Sequence, residues 1–368
     1  MSNIIDYVKW RGDLGFTIDS FNTIDNFIFS ELSYLPMENL VPEIDEGEGI
    51  SLKTLSENFF RTHDYDEIDK KALHVDRAPL LLYECANSLR FRDVKVQDFI
   101  NHVDSVTKTQ FSAVTFILPD QTAFLSFRGT DHTIVGWEED FDMSFLNETP
   151  GQKEAVYYVR HQCRKFDAVR IGGHSKGGNF AVYGAAFAGN ECFDKILEVF
   201  SNDGPGFRDE TMEKEEYKRI LTKVTSIVPQ DSMVGMILSN AYSHKIVTSD
   251  ESGIEQHDLL SWQVEGKHLV EAHEFGLWSK IFNDTLKVWL KDIKDCDRET
   301  YVGILFNSIT EARGSAYADI PDVPKIVRII NKRLGGMPKD QQKLFIDITG
   351  KLLLSGGKAL AENLISKG

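Results

Sequence analysis

The string Gly172-Gly173-His174-Ser175-Lys176-Gly177 constrains this chain more than any other. It follows a short run, Ala168–Ile171, that reads as a strand, and it precedes a small-residue helix, Asn179–Ala188. A serine in G-x-S-x-G between a strand and a helix sits on a sharp, strained turn, where only small neighbours leave room for adjacent backbone. Such a turn presents the hydroxyl at the carboxyl edge of a sheet. It also aims the next backbone N–H, that of Lys176, and the helix N-terminus at a developing oxyanion. Ser175 is therefore the candidate nucleophile.

The surrounding pattern fits a sheet with helices on both faces. Ser112–Leu118 and Ala123–Phe127 flank Pro119-Asp120-Gln121-Thr122, a hairpin signal. Further strands are expected at Ile196–Phe200, Val224–Val228 and His244–Val247, separated by helical runs around Glu154–Arg164 and Glu210–Ile220. That alternation predicts an α/β fold with a mostly parallel sheet. Residues 1–110 read as mainly helical, with Asn22 and Ser51 opening two helices and Glu43–Glu48 a solvated loop. Residues 111–265 form the expected catalytic core. Residues 266–368 read as helices, striped by Trp278, Ile281, Phe282, Leu286, Trp289 and Ile293, then by Val302, Leu305, Phe306 and Ile309. Two more helices are expected around Ile326–Leu334 and from Pro338, the last interrupted at Gly356-Gly357. No Pro/Ser-rich linker separates the three regions, so one compact unit is expected.

A serine nucleophile needs a base and an acid that orients it, and this fold class supplies them in the chain order Ser, Asp or Glu, His. Asp231 follows the strand Val224–Val228 and is the expected acid; Asp203, in Ser201-Asn202-Asp203-Gly204, also follows a strand and is its rival. His257 follows the last strand and a polar loop and is the expected base, ahead of His244, His268 and His273. The second oxyanion donor is expected from Phe127-Arg128-Gly129-Thr130-Asp131, through the Thr130 N–H, with its hydroxyl as an added donor. Glu138, Glu139, Asp140 and Asp142 follow. Without accompanying His or Cys they read as a brace, an Arg128–Asp140 pair, more than as a metal site. Trp137, Met233, Val234, Met236 and Ile237 are the candidate acyl pocket.

Composition closes off other classes. Lys and Arg number 41 against 57 Asp and Glu, a net charge of −16, which argues against a nucleic-acid partner. Apolar residues at 42 % and charged residues at 27 % are those of a folded globular chain. No window reaches the ~18 apolar residues of a membrane span, and the N-terminus does not read as a signal peptide. Cys85, Cys163, Cys192 and Cys296 lie far apart and read as buried reduced thiols more than as a metal site or disulfide frame, so a cytoplasmic protein is expected.

The motifs SFRGT, Trp137 with Asp140, GGHSKGG, and a later Asp and His resemble the class 3 lipases of the α/β-hydrolase superfamily. DYVKWRGDL, FSAVTF, FRGTDHTIVGWEEDF, GPGF and QHDLLSWQV are similar to a cytoplasmic bacterial, Firmicutes-type branch of them. The resemblance covers nearly the whole chain and is strongest from about 111 to 265. It implies an α/β-hydrolase fold with helical N- and C-terminal additions and no cofactor. It implies Ser175, Asp231 and His257 as triad, Thr130 and Lys176 as oxyanion residues, and a small-molecule acyl ester as substrate. Secreted members usually carry disulfides, a signal peptide and an apolar lid, none of which is found here, so dissolved esters are expected over fat droplets. Alternatives are a non-catalytic binding protein of the same fold, or an amidase, peptidase or thioesterase with the same triad.

Overall fold

Residues 2–65, 77–130, 134–291, 293–313 and 323–365 are described by a computed structural model. Helices α1 (Ile4–Arg11) and α2 (Thr23–Leu32) open the chain, each behind an asparagine, Asn3 and Asn22, that closes a capping box. A short strand β1 (Ile50–Ser51) leads into α3 (Leu52–Phe59), whose N-cap is Ser51, and α4 (Ala78–Asn87) follows. Then come β2 (Lys95–Asp104), β3 (Thr109–Ile117), β4 (Ala123–Phe127), α5 (Ile134–Asp142), α6 (Pro150–Lys165), β5 (Val169–His174) and α7 (Lys176–Phe187). Next are α8 (Asn190–Lys195), β6 (Ile196–Asn202), α9 (Asp209–Met212), α10 (Glu215–Ile220), β7 (Val224–Pro229) and β8 (His244–Val247). A small ribbon, β9 (Val264–Glu265) and β10 (His268–Leu269), precedes α11 (Leu277–Lys291), α12 (Asp295–Arg313), α13 (Val323–Gly335) and α14 (Lys339–Ile365).

Strands β1 to β8 form one sheet in sequence order. The pairs from β1 to β4 are antiparallel, and every pair from β4 to β8 is parallel, with helical crossovers between most of them. This is the expected α/β-hydrolase fold. Alternation along β3 and β4 sends Val114, Phe116 and Phe124 to one face, under α1–α4, and Phe111, Ala113, Leu125 and Phe127 to the other, under α6 and α7. A third cluster, built from Trp289, Ile293, Tyr301, Ile304, Phe345 and Ile348, lies within the C-terminal helices. Among the described residues no helix is long and apolar enough to cross a membrane. Cys85, Cys163 and Cys192 are buried as expected, whereas Cys296 is exposed.

Three local readings change. The region before residue 110 contains a ten-residue strand, β2, which a bulge between Gln97 and Ile100 breaks; Asp98 there takes φ 54°, so the period-two signal is lost. The charged run at Glu210–Ile220 is two short helices, α9 and α10, instead of one. Helix α14 passes Gly356-Gly357 without a break, where Gly356 lies against the Thr285 side chain of α11. A helical glycine costs only about 1 kcal/mol, which packing against a neighbouring helix offsets.

Candidate active site

Ser175 caps α7 with φ 58° and ψ −133°, a conformation that β-carbon-bearing residues seldom adopt, and its hydroxyl makes no capping bond. The turn is held from both sides. Ser175 N–H donates to the Asn202 carbonyl at the end of β6 (2.9 Å), and Gly178 N–H to the Ser175 carbonyl (2.8 Å). A Cβ at Gly177 would stand 2.1 Å from the Phe127 carbonyl oxygen, so β4 can come this close only to a glycine.

His257 ends a short 3₁₀ turn, Gly253–His257. Its Nδ1 lies 2.6 Å from Oδ2 of Asp203, which is fully buried. The other Asp203 oxygen, Oδ1, accepts from Ser232 Oγ (2.5 Å) and from Gly235 N–H (3.1 Å). Three donors thus converge on one buried carboxylate. With its Nδ1–H given to Asp203, the imidazole leaves Nε2 for other work.

Of the two candidate acids, Asp203 and not the expected Asp231 is the carboxylate that meets the His257 imidazole. Asp231 lies at the end of β7, but its N–H and carboxylate meet the Gln256 side chain (2.9 and 3.5 Å), and its Oδ1 is packed against Gly276. Asp203 follows β6, the immediate neighbour of the strand that carries Ser175, with His174 and Asn202 in register. One strand spacing decides which carboxylate the imidazole meets. Met233–Ile237, read as part of an acyl pocket, includes the turn that supplies Gly235 N–H to Asp203; the Trp137 side chain lies outside the described residues. His244 sits at the start of β8 on Ser226 Oγ (2.8 Å) and does not join the pair.

The oxyanion loop also differs from its expected bracing. Arg128 donates to Asn101 Oδ1 (2.7 Å) and not to Asp140. Asp140 instead accepts from Thr130 Oγ1 (2.5 Å), so that hydroxyl proton is engaged and is not free for the added donor role expected of it. Burial, opposed by Lys176, pushes the Asp140 carboxyl up to about 6. The side chain of Lys176 turns inward. Its Nζ is 3.1 Å from Glu139 Oε2, and both side chains are 0 % exposed. Glu139 accepts in addition from Gln110 N–H (3.0 Å) and Gly151 N–H (2.8 Å), so the buried pair ties α7, α5, β3 and α6 together. Glu138 pairs with Lys108 (2.9 Å). These carboxylates of the patch hold protein groups, and their partners lie too far along the chain for spacing to reveal.

Tyr34 is the site residue that sequence reasoning missed. It lies just past α2, and its hydroxyl is 3.0 Å from His174 Nδ1. No strand–turn–helix signal surrounds it, and only the packing of α2 on the sheet brings it to Ser175.

No curated protein matches the chain. Solved structures that resemble it include M37 lipase, 13 % identical with a TM-score of 0.37 over 59 % of this chain and 69 % of that one. Another is the Rhizomucor miehei lipase propeptide complex, 13 % identical with a TM-score of 0.31 over 55 % of this chain and 70 % of that one. At such scores neither likeness bears on function. The Mbeg1-like family model matches residues 85–307, a span that begins in α4, includes the whole sheet from β2 onward and runs into α12. With more than half its length matched, the chain belongs to the Mbeg1-like family.

Proposed function

We propose that the chain is a lipase-like serine hydrolase of carboxylic esters or thioesters. The observation that carries this reading is the His257–Asp203 contact of 2.6 Å, made beside the strained turn that holds Ser175. His257 Nε2 takes the Ser175 proton as Oγ attacks the acyl carbon, while Asp203 holds the imidazole in the required tautomer and stabilises its charged form. The N–H groups of Lys176 and Thr130 receive the tetrahedral oxyanion. His257 then returns its proton to the leaving alcohol or thiol, and water, activated by the same imidazole, clears the acyl-enzyme. The substrate is a dissolved small acyl ester. The protein works in the cytoplasm, as in the bacterial branch it resembles, and needs neither cofactor nor nucleic acid.

Fluorophosphonate labelling, with p-nitrophenyl esters of graded chain length and an amide panel, tests this. Ser175→Ala should abolish labelling and lower turnover by about a thousandfold or more; undiminished labelling would sink the assignment. Asp203→Asn should lose about 10²–10⁴-fold, whereas Asp231→Asn stays within about threefold. The reverse order would restore Asp231 as the acid. Amide turnover exceeding ester turnover would favour a peptidase instead.

A further inference from the structure

His174, the residue before the nucleophile, uses both ring nitrogens. Nε2 is 2.7 Å from the carbonyl oxygen of His257, and Nδ1 is 3.0 Å from the Tyr34 hydroxyl. A carbonyl can only accept, so Nε2 carries the proton; in a neutral ring Nδ1 is then the acceptor and Tyr34 O–H the donor. Burial, together with the neighbouring His257, holds His174 well below the usual histidine range, so the ring is neutral. The His174 and His257 rings lie 4.4 Å apart, centroid to centroid.

The Tyr34 hydroxyl also bounds the oxyanion loop. A Cβ on Gly129 would fall 2.3 Å from it, 2.7 Å from the His174 carbonyl oxygen and 2.9 Å from Ser175 Cβ. One side chain from the N-terminal helices thus touches the loop of Thr130 and, through His174, the backbone of His257.

We propose that Tyr34 and His174 form a clamp that positions His257 and the oxyanion loop relative to Ser175, so that the N-terminal region completes the catalytic site. Both are positioning residues that act through His257, and the proposal rests on the triad reading given above. The clamp works by donating two neutral hydrogen bonds in series, Tyr34 O–H to Nδ1 and Nε2–H to the His257 carbonyl. A charged His174 would have no lone pair for Tyr34 and would set a second positive charge against the imidazolium that forms on His257. The charged and titratable groups facing this pair are Asp203 and Asp140 on the His257 side and Tyr34 on the His174 side; Asp258, next along the chain, is paired with Arg77.

The test uses the full chain, p-nitrophenyl acetate and ¹⁵N-histidine spectra. The wild type should show one neutral Nε2–H imidazole, assigned by its loss in His174→Gln, that does not titrate between about pH 5.5 and 9. Tyr34→Phe should lower kcat about five- to tenfold, the worth of one neutral hydrogen bond, with KM within about twofold, and should bring that signal into tautomer exchange. His174→Leu should lose about 100-fold in kcat, and His174→Gln, which keeps an N–H for the His257 carbonyl, should recover about tenfold of it. Wild-type kcat together with an unaltered imidazole signal in Tyr34→Phe would overturn the clamp, as would equal losses in His174→Leu and His174→Gln. If the wild type neither labels with fluorophosphonate nor turns over esters, the triad reading fails. The clamp then stands or falls on the spectrum: a neutral Nε2–H imidazole disturbed by Tyr34→Phe supports it, and a His174 that titrates near its ordinary value overturns it.

Discussion

The N-terminal helices and the C-terminal helices both carry apolar faces, but the first bury theirs against the sheet and the second largely against each other. Phe27, Ile28, Phe29 and Leu32 of α2 share a cluster with Val114, Phe116, Phe124 and Phe200 of the sheet. Polar links reinforce that joint. Asn26 and Asn202 exchange side-chain hydrogen bonds (2.9 and 3.1 Å), and Ser126 Oγ donates to the Phe29 carbonyl (2.9 Å). Arg90, 1 % exposed, donates to Asp25 and to the carbonyls of Leu14, Asp19 and Ser20, which gathers the stretch from Leu14 to Asp25 on one guanidinium. Helices α11, α12 and α14 instead converge on their own cluster around Trp289 and Phe345. They meet the core at a narrower joint, where Phe306 packs on Phe141 of α5 at 5.4 Å and Arg298 donates to the Ser144 carbonyl (2.6 Å). The contrast separates a region packed on the sheet that carries Ser175 from one that packs mainly on itself.

The sharpest break of that contrast is Arg90→Met. It strands Asp25 as a buried, unpaired carboxylate and should cost about 3–5 kcal/mol in urea unfolding, with loss of fluorophosphonate labelling as the whole core opens. Full labelling in a protein that has lost this much stability would mean that the N-terminal region is not coupled to the site. Phe345→Ala should remove a comparable apolar contact in the C-terminal cluster, about 3 kcal/mol. There, hydrogen exchange should rise in α11, α12 and α14 while labelling of Ser175 persists. Labelling lost in step with the exchange would make the C-terminal helices part of the core as well.

A pH experiment probes the joint between the two regions. Burial, opposed by Lys108, raises the Asp142 carboxyl to about 7, and its Oδ1 has no hydrogen-bond partner among the described residues. A carboxyl whose folded value lies above its unfolded one favours the folded state most when protonated. Stability should therefore fall as pH rises from about 4 through 7. Asp142→Asn should flatten that slope, for a difference on the order of 2–4 kcal/mol at pH 8. An unchanged slope in the melting curves would place the ionised carboxylate in water. The smallest effect belongs to the exposed link between Arg208 and Asp295 (2.7 Å). There Asp295→Ala should cost no more than about 1 kcal/mol and vanish in high salt.

Residue types and spacing were enough to recognise the strand–turn–helix at Ser175, the hairpin of β3 and β4, the parallel strands after it and the caps at Asn22 and Ser51. Each of these depends on neighbours within a few positions, where backbone conformation and local hydrogen bonds dominate. His257 could be proposed from its place after the last strand, because the order of elements is itself a sequence property. Asp203 and Asp231 could not be separated this way. Both follow strands, and only the finding that β6 lies directly beside β5 brings Asp203 to the imidazole. Lys176 was legible as the residue after Ser175, but its partner Glu139 was not, since a buried ion pair is chosen by which helix crosses above which strand. Tyr34 stands 140 positions from His174 in sequence, and no local pattern marks it. What short-range physics could encode, the turn and its serine, was present in the sequence by itself; what required chain segments to meet, the carboxylate on His257, the buried cation's partner and the tyrosine behind His174, was decided by tertiary packing, because hydrogen bonds between distant residues are set by three-dimensional neighbours and leave no period in the chain.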